Sequence, residues 1–296
     1  FPGTIDLIFY NTLRILSKRG LKVVLELPTY PIGNELIQGI KNDFTKKRYL
    51  SLITHTVAVG IHRVLSRNLK TKIYKIVTYM PYDKIWGVKT IQIDNGVDTN
   101  QVPAIDWDIR TRNDDSINMI VVANVSIWHG IDRLIRGIKD YYSGKHSRHI
   151  TLSIIGDSPL CSDLKSLSDE LGLQEYIFFK GSKFGNELRQ EYEKADIAIG
   201  SLGMHRINVL NGSTLKVKEY CSLGIPFVYA YNERCLDPNF PYALKLQPCE
   251  SNIDIEEVID FYNKVLSKEN VSEIMHQFAE DNFTWEKQMK AVVEAV

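Results

Sequence analysis

Short apolar runs recur along the chain, and most are spaced to leave room for one helix between them. The first third contains IDLIFY (5–10), KVVLEL (22–27), KIVTYM (75–80) and TIQID (90–94). INMIVVANV (117–125), HITLSIIG (149–156), YIFFKG (176–181), DIAIGS (196–201), IPFVYA (225–230) and ALKLQ (243–247) follow. Most are apolar throughout rather than alternating with polar residues, which predicts strands buried on both faces of a parallel sheet. Between them the period changes to that of a helix. Ile131, Leu134, Ile135 and Ile138 form one stripe in 130–144, and Leu164, Leu167 and Leu171 form another in 161–173. NELRQEYEKA (186–195) predicts a short charged helix, and 49–66 a mostly apolar one. Asn-Gly-Ser-Thr at 211–214 is a helix start, and Gly224 with Pro226 is a stop that leads into a buried strand. The closing stretch, 273–296, is helical and amphipathic. Strand alternating with helix predicts an α/β fold of doubly wound parallel sheets.

The chain has 296 residues, enough for two domains. Asn95-Gly96 is a turn signal and Pro103 punctuates its exit, so the expected division is 1–103, 104–275 and a closing helical segment, 276–296, packing back across the domains. The first domain is short beside the second and looks incomplete.

Composition narrows the class. Hydrophobic residues make up 44% and charged residues 24%, as in a folded soluble protein rather than a disordered one. The four cysteines form no CxxC pair, so neither a zinc site nor a disulfide framework is indicated, and a reducing compartment is the plain reading. No run is apolar enough to span a membrane, and no signal peptide is evident. The net charge of zero hides an asymmetry: residues 1–103 carry +8 and the remainder −8. Between Lys41 and Lys75 there are nine Lys/Arg against one acid, Asp43, around the apolar helix 49–66. That pattern fits either an anionic membrane surface or a core helix with a solvated basic edge. Nucleic acid fits poorly, because no basic motif is interleaved with aromatics and the whole chain is not basic.

Ligands of open parallel sheets sit beyond the carboxyl ends of the strands. Four loops follow strands of the second domain: 124–130, 156–163, 180–185 and 201–214. Each contains Gly, Ser or Asn, and two lead into helices whose first-turn amides suit phosphate. Singly each is an ordinary turn; together they would make a crevice. On the helix after 214, Lys216 and Glu219 lie one turn apart. They are either an i,i+3 ion pair on a solvated face or a functional pair aimed into that crevice.

Taken in order, these segments resemble the family 4 glycosyltransferases of the GT-B fold. NGVD (95–98) is similar to the interdomain hinge signature. VVANVSIWHGIDRLIRGI (121–138) occupies the place of the family's Gly-Arg-Leu-Ser-x-x-Lys-Gly strand-loop-helix. LSIIGDSPLCSDLKSLSDELGLQEYIFFKG (152–181) is similar to the next unit, and YEKADIAIGSL with KEYCSLGIPFV to the final donor-site unit. LELPTYP (25–31) and the run through SLGMHR to KEY look like a branch used for bacterial surface polysaccharides. The resemblance covers roughly residues 90–290. It implies two Rossmann-like domains and transfer of a sugar, with retention, from a nucleotide-sugar to a glycan or lipid-linked acceptor. It implies no metal or other cofactor, in keeping with the lack of a DxD motif in the donor loops and the isolation there of Asp157 and Asp163. The expected location is cytoplasmic, extending to the inner face of the membrane through 41–75.

The resemblance also assigns residues. Glu219, the second Glu of the family's E-x7-E motif, would accept hydrogen bonds from both ribose hydroxyls. Lys216 on the same helix face would reach a phosphate oxygen, and the amides of Ser213 and Thr214, after Gly212, would cap the diphosphate. Asn124, Ser126, His129, Gly130, Gly156, Asp157 and Gly181 would complete the donor site, with Lys180 or Lys183 at the base pocket. Three positions depart from the family: Asn211 replaces the first Glu, Asn124 an Arg and His129 a Lys. The lost cations would have to be made up by Lys216, by Arg206 and His205, and by His129 if protonated. Pro28-Thr29-Tyr30-Pro31 stands where the family often has an acceptor-side His. These departures leave a second reading open, a non-catalytic partner of an active transferase. A sugar-nucleotide epimerase would need further carboxylates.

Overall fold

The computed structural model describes residues 5–27, 30, 44, 49–108 and 115–296. Of the Pro28–Pro31 loop only Tyr30 is among them, packed edge-on against Tyr82 and Trp86. Lys41, Lys46, Lys47 and Arg48 of the basic stretch lie outside the described residues. The chain divides into two compact units, residues 1–95 with 286–296, and residues 96–285.

The first unit opens with α1 (Leu7–Lys18). Residues 5–10, read above as a strand, begin this helix instead. The Asp6 side chain accepts from the Phe9 amide at 2.7 Å, which caps the first turn, and Leu13 points into the core. A local cap and a buried residue one to two turns on outweigh an apolar run of strand length. β1 (Val24–Glu26) and α2 (Tyr49–Ser66) follow, then β2 (Lys75–Thr78), β3 (Lys84–Ile85) and β4 (Val88–Gln92). Their sheet has the order β1-β2-β4-β3, parallel except for the β3–β4 hairpin.

The second unit is a six-stranded parallel sheet. Its elements are β5 (Ser116–Val122), α3 (Ile131–Ser143), β6 (His149–Ile155), α4 (Pro159–Glu170), β7 (Ile177–Phe179), α5 (Gly185–Tyr192) and β8 (Ile197–Ile199). They continue with β9 (Asn211–Gly212), α6 (Leu215–Leu223), β10 (Phe227–Tyr229), β11 (Asn232–Glu233), β12 (Ala243–Lys245), α7 (Ile255–Leu266) and α8 (Val271–Asn282). The strand order β12-β10-β8-β5-β6-β7 is doubly wound about β5 and β8, so the chain switches direction between them. The predicted stripe of Ile131, Leu134, Ile135 and Ile138 is buried, as are Ile117, Ile120, Leu152, Ile154, Ile197 and Phe227 of the strands. Each such side chain contributes about 1.5–3 kcal/mol by leaving water.

Residues 96–107 are bound into this second unit. The Val97 amide donates to the Phe283 carbonyl at 2.8 Å, the Ile105 amide to Leu223 at 3.0 Å, and Trp107 Nε1 to Asp196 at 3.0 Å. The division therefore falls at Asn95, earlier than the Pro103 punctuation suggests. The closing segment is two helices. α8 packs on α6 in the second unit, whereas α9 (Trp285–Ala295) places Val292 against Val77, Ile91 and Ile93 of the first.

Candidate functional site

Because β5 to β8 run parallel, their carboxyl ends share one edge of the sheet, and the four glycine-bearing loops meet there. The loop after β5 and the loop after β8 touch backbone to backbone. The Leu202 amide donates to the His129 carbonyl and the Gly203 amide to that of Trp128, each at 3.0 Å. Gly130, at φ 61°, is the reason they can: a Cβ there would lie 2.8 Å from the Gly203 nitrogen. The loop after β6 is tied to the loop after β7 by the Gly156 amide, which donates to the Gly181 carbonyl at 2.8 Å.

Two cavities open along this edge. One, of about 360 Å3, is lined by Asn124, Gly156, Asp157, Lys183, Phe184 and Lys216 among others. The second, of about 430 Å3, is lined by Asn100, Gln101, Asn186, Arg189, Tyr192 and Glu219 among others. Both share Leu188. Lys216 of the first and Glu219 of the second are joined at 3.3 Å, so the pair first noticed as an i,i+3 spacing stands where the cavities adjoin. Both side chains are half-buried, which separates the pair from an ordinary surface ion pair. Glu219 is also held by the Tyr192 hydroxyl, which donates to Oε1 at 2.8 Å. Burial first, then Tyr220 and Glu219 nearby, holds the Tyr192 phenol far above its ordinary range, so it stays a donor. Tyr192 escaped the sequence reading because its partner is 27 residues away.

His129 is not a cation. The Ser126 amide donates to its Nδ1 at 2.9 Å, one half of a capping box, so a ring proton sits on Nε2. Burial pushes its pKa down to about 4, against the Ser126 contact, and nearby Lys216 lowers it further. The expected compensation by a protonated His129 is therefore replaced by a neutral ring that offers one N–H.

Arg206 and His205 are likewise committed elsewhere. Arg206 makes a two-pronged contact with Asp132 in the first turn of α3, at 2.7 and 2.8 Å, and a further one with Glu250 at 2.7 Å. His205 Nε2 lies 2.7 Å from Glu250 Oε1. Hydrogen bonds from Arg206, then from His205, draw the Glu250 carboxyl down to about 2. The guanidinium fork is matched to oxyanions as expected, but these are the protein's own. Lys180 and Lys183 both reach Glu191, each at 2.5 Å, which pins the loop that frames the first cavity.

The start of α6 also differs from expectation. The Thr214 amide, expected at a diphosphate, donates to Glu233 Oε2 at 3.0 Å. Tyr231 donates to the same oxygen at 2.8 Å, and Lys218 reaches Oε1 at 2.7 Å, with Lys218 and Glu233 both fully buried. Ser213 faces Cys235 at 3.4 Å. Asn211 and Gly212 form β9, which pairs with β11, and the Asn211 side-chain Oδ1 accepts from Asn232 Nδ2 at 2.9 Å. Asn211 is thus exposed on a small ladder and lines neither cavity. Tyr231 and Glu233, at and just beyond the turn after β10, follow a fifth strand end that the four loops do not include. Applying the same rule to every strand would have found them.

No protein-family model matches the chain, and no curated protein sequence matches it. Solved structures do. A glycosyltransferase from Rickettsia africae ESF-5 superposes with a TM-score of 0.63 at 12% identity, over 98% of this chain and 81% of that one. Anabaena Alr3699/HepE, in complex with UDP and glucose, gives 0.60 at 13% identity, over 97% and 75%. Sucrose-phosphate synthase from Thermosynechococcus elongatus gives 0.61 at 14% identity, over 97% and 75%. The likeness spans almost the whole chain, and the fold is GT-B.

Proposed function

We propose that the protein is a glycosyltransferase that takes a sugar from a nucleotide-sugar and hands it to a glycan or lipid-linked acceptor. The observation that carries this is Glu219, a half-buried carboxylate held by Tyr192 and Lys216 where two strand-end cavities adjoin. Its two oxygens suit the two hydroxyls of a ribose. The donor's phosphates would then lie in the cavity lined by Asn124, Gly156 and Lys216, with the nucleoside turned toward Glu219. That the similar HepE was solved with UDP and glucose supports a uridine nucleotide as the first donor to try.

We assign the chain to the retaining, family 4 type, in polysaccharide or glycoconjugate assembly. In a front-face reaction the bond from the sugar's anomeric carbon to the phosphate oxygen breaks. The acceptor oxygen bonds to the same face of that carbon, and the acceptor proton passes to the departing phosphate. Such a step asks the protein for charge stabilisation rather than for a base. Lys216 supplies a positive charge, His129 a neutral N–H, and the first-turn amides of α6 their dipole. Asn124, Ser126, Gly156, Asp157 and Gly181 frame the phosphates. No metal is assigned a role. Arg206 ties the β8 loop to Ile127 and Asp132 on the β5 side, and Arg206 with His205 ties it to Glu250 after β12, so both support the site from outside it.

A thermal-shift panel with UDP, GDP, ADP and CMP, run beside Glu219→Ala, tests the reading. A ligand at about 100 times its dissociation constant adds about 2.7 kcal/mol. For a unit of this size that is on the order of 5–10 °C. A shift with one nucleotide that vanishes in Glu219→Ala is expected. No shift with any of them would count against the proposal, and a shift without sugar transfer would move the non-catalytic partner reading ahead.

A further inference from the structure

We infer that α1 and α2 present a face that adsorbs to an anionic phospholipid bilayer. α2 carries two apolar stripes. One, with Leu65, packs beside the core of the first unit. The other is turned to solvent: Leu50 is 84% exposed, Ile53 62%, Val57 54% and Val64 61%. Their spacing of three, four and seven residues puts them on one side of the helix, so this is a continuous stripe rather than scattered surface residues. α1, which packs on α2, adds Leu7 and Ile8, the latter 80% exposed. An exposed apolar stripe of this kind marks an interaction surface.

Charge selects the occupant. The cations around the stripe are exposed: Arg63 on α2 and Arg67 just beyond its end, and Arg14, Lys18 and Arg19 at α1. Against them, the described residues from 5 to 75 contain two acids, Asp6 and Glu26. A second copy of the chain would bring like charges together across the contact. A bilayer surface rich in anionic lipid takes apolar side chains at its acyl boundary and attracts the flanking basic groups. Among the described residues no helix is long and apolar enough to cross a membrane, so the mode is adsorption in the plane of the surface. This assignment stands apart from the nucleotide site, all of whose described lining belongs to the second unit.

The test is flotation of the 296-residue chain with phosphatidylcholine vesicles, with and without 40% phosphatidylglycerol, beside Ile53→Asp/Val57→Asp and Arg63→Glu/Arg67→Glu. (The lipid fraction is about that of a strongly anionic leaflet.) Binding is expected only with the anionic lipid, to resist millimolar glycerol phosphate, and to fall about 30-fold or more in each double variant. All four positions are exposed, so circular dichroism melts should match the wild type. Equal binding to neutral vesicles, binding unchanged in either variant, or abolition by glycerol phosphate would overturn the inference. So would a dimer seen by light scattering that Ile53→Asp/Val57→Asp dissociates. Nucleotide thermal shifts on the same variants should be unchanged, which separates failure of this inference from failure of the nucleotide reading.

Discussion

Lys218 and Glu233 offer a quantitative test of how the start of α6 is held. Both are fully buried and meet at 2.7 Å, and Glu233 also accepts from Thr214 and Tyr231. In Lys218→Met the carboxylate keeps two hydrogen bonds but loses its counter-charge, and an uncompensated buried charge costs about 3–5 kcal/mol. Glu233→Gln strands the ammonium instead and should lose a similar amount. Lys218→Met with Glu233→Gln removes both charges and leaves an amide oxygen for the Thr214 amide. That double variant should lie within about 2 kcal/mol of the wild type. At about 2–4 °C per kcal/mol for a unit of this size, each single variant melts roughly 6–20 °C lower and the double recovers most of the loss. Differential scanning calorimetry with urea unfolding, followed by tryptophan fluorescence, measures all four corners of the cycle. Single effects below about 1 kcal/mol, or a double effect equal to their sum, would refute the claim that the charges are buried and coupled.

Four further outcomes follow from the site. Tyr192→Phe frees one oxygen of Glu219 from its internal donor and should change nucleotide affinity about three- to tenfold while leaving Glu219→Ala the more damaging change, as read by isothermal titration calorimetry. Gly130→Ala combines a left-handed φ with an overlap on Gly203, and should lower stability by about 2–4 kcal/mol in urea titrations. His129 is held neutral, with its pKa near 4, below its unfolded value, so the unfolded chain binds the extra proton first. Its contribution, on the order of 2–3 kcal/mol, is present in full above about pH 6.5 and is lost as pH falls toward 4, and His129→Gln should flatten that part of a stability–pH curve. Arg206→Lys cannot make the two-pronged contact with Asp132 while reaching Glu250, so the β5 and β8 loops should show faster amide hydrogen exchange with little change in overall melting.

Much of this protein was legible along the chain because the deciding interactions are local. Short apolar runs marked nine of the strands, most of them without alternation, since a strand buried on both faces leaves no polar position. The stripe of α3, the 49–66 helix, and the stop at Gly224, whose φ is 71°, follow from spacing within one or two turns. Lys216 and Glu219 were visible for the same reason. Residues 5–10 were misread because a six-residue apolar run suits a strand or a helix equally, and the Asp6 cap decided between them. The edge where ligands gather could also be anticipated, because parallel strands place their carboxyl ends together. What the sequence did not contain was the pairing across that edge. Arg206 meets Glu250 across 44 residues, Tyr192 meets Glu219 across 27, and Thr214 meets Glu233 across 19. Each residue alone reads as a free charge or donor suited to a phosphate. Only the packed sheet brings the partners within 3 Å, and that proximity decides which groups neutralise one another and which are left to face a ligand.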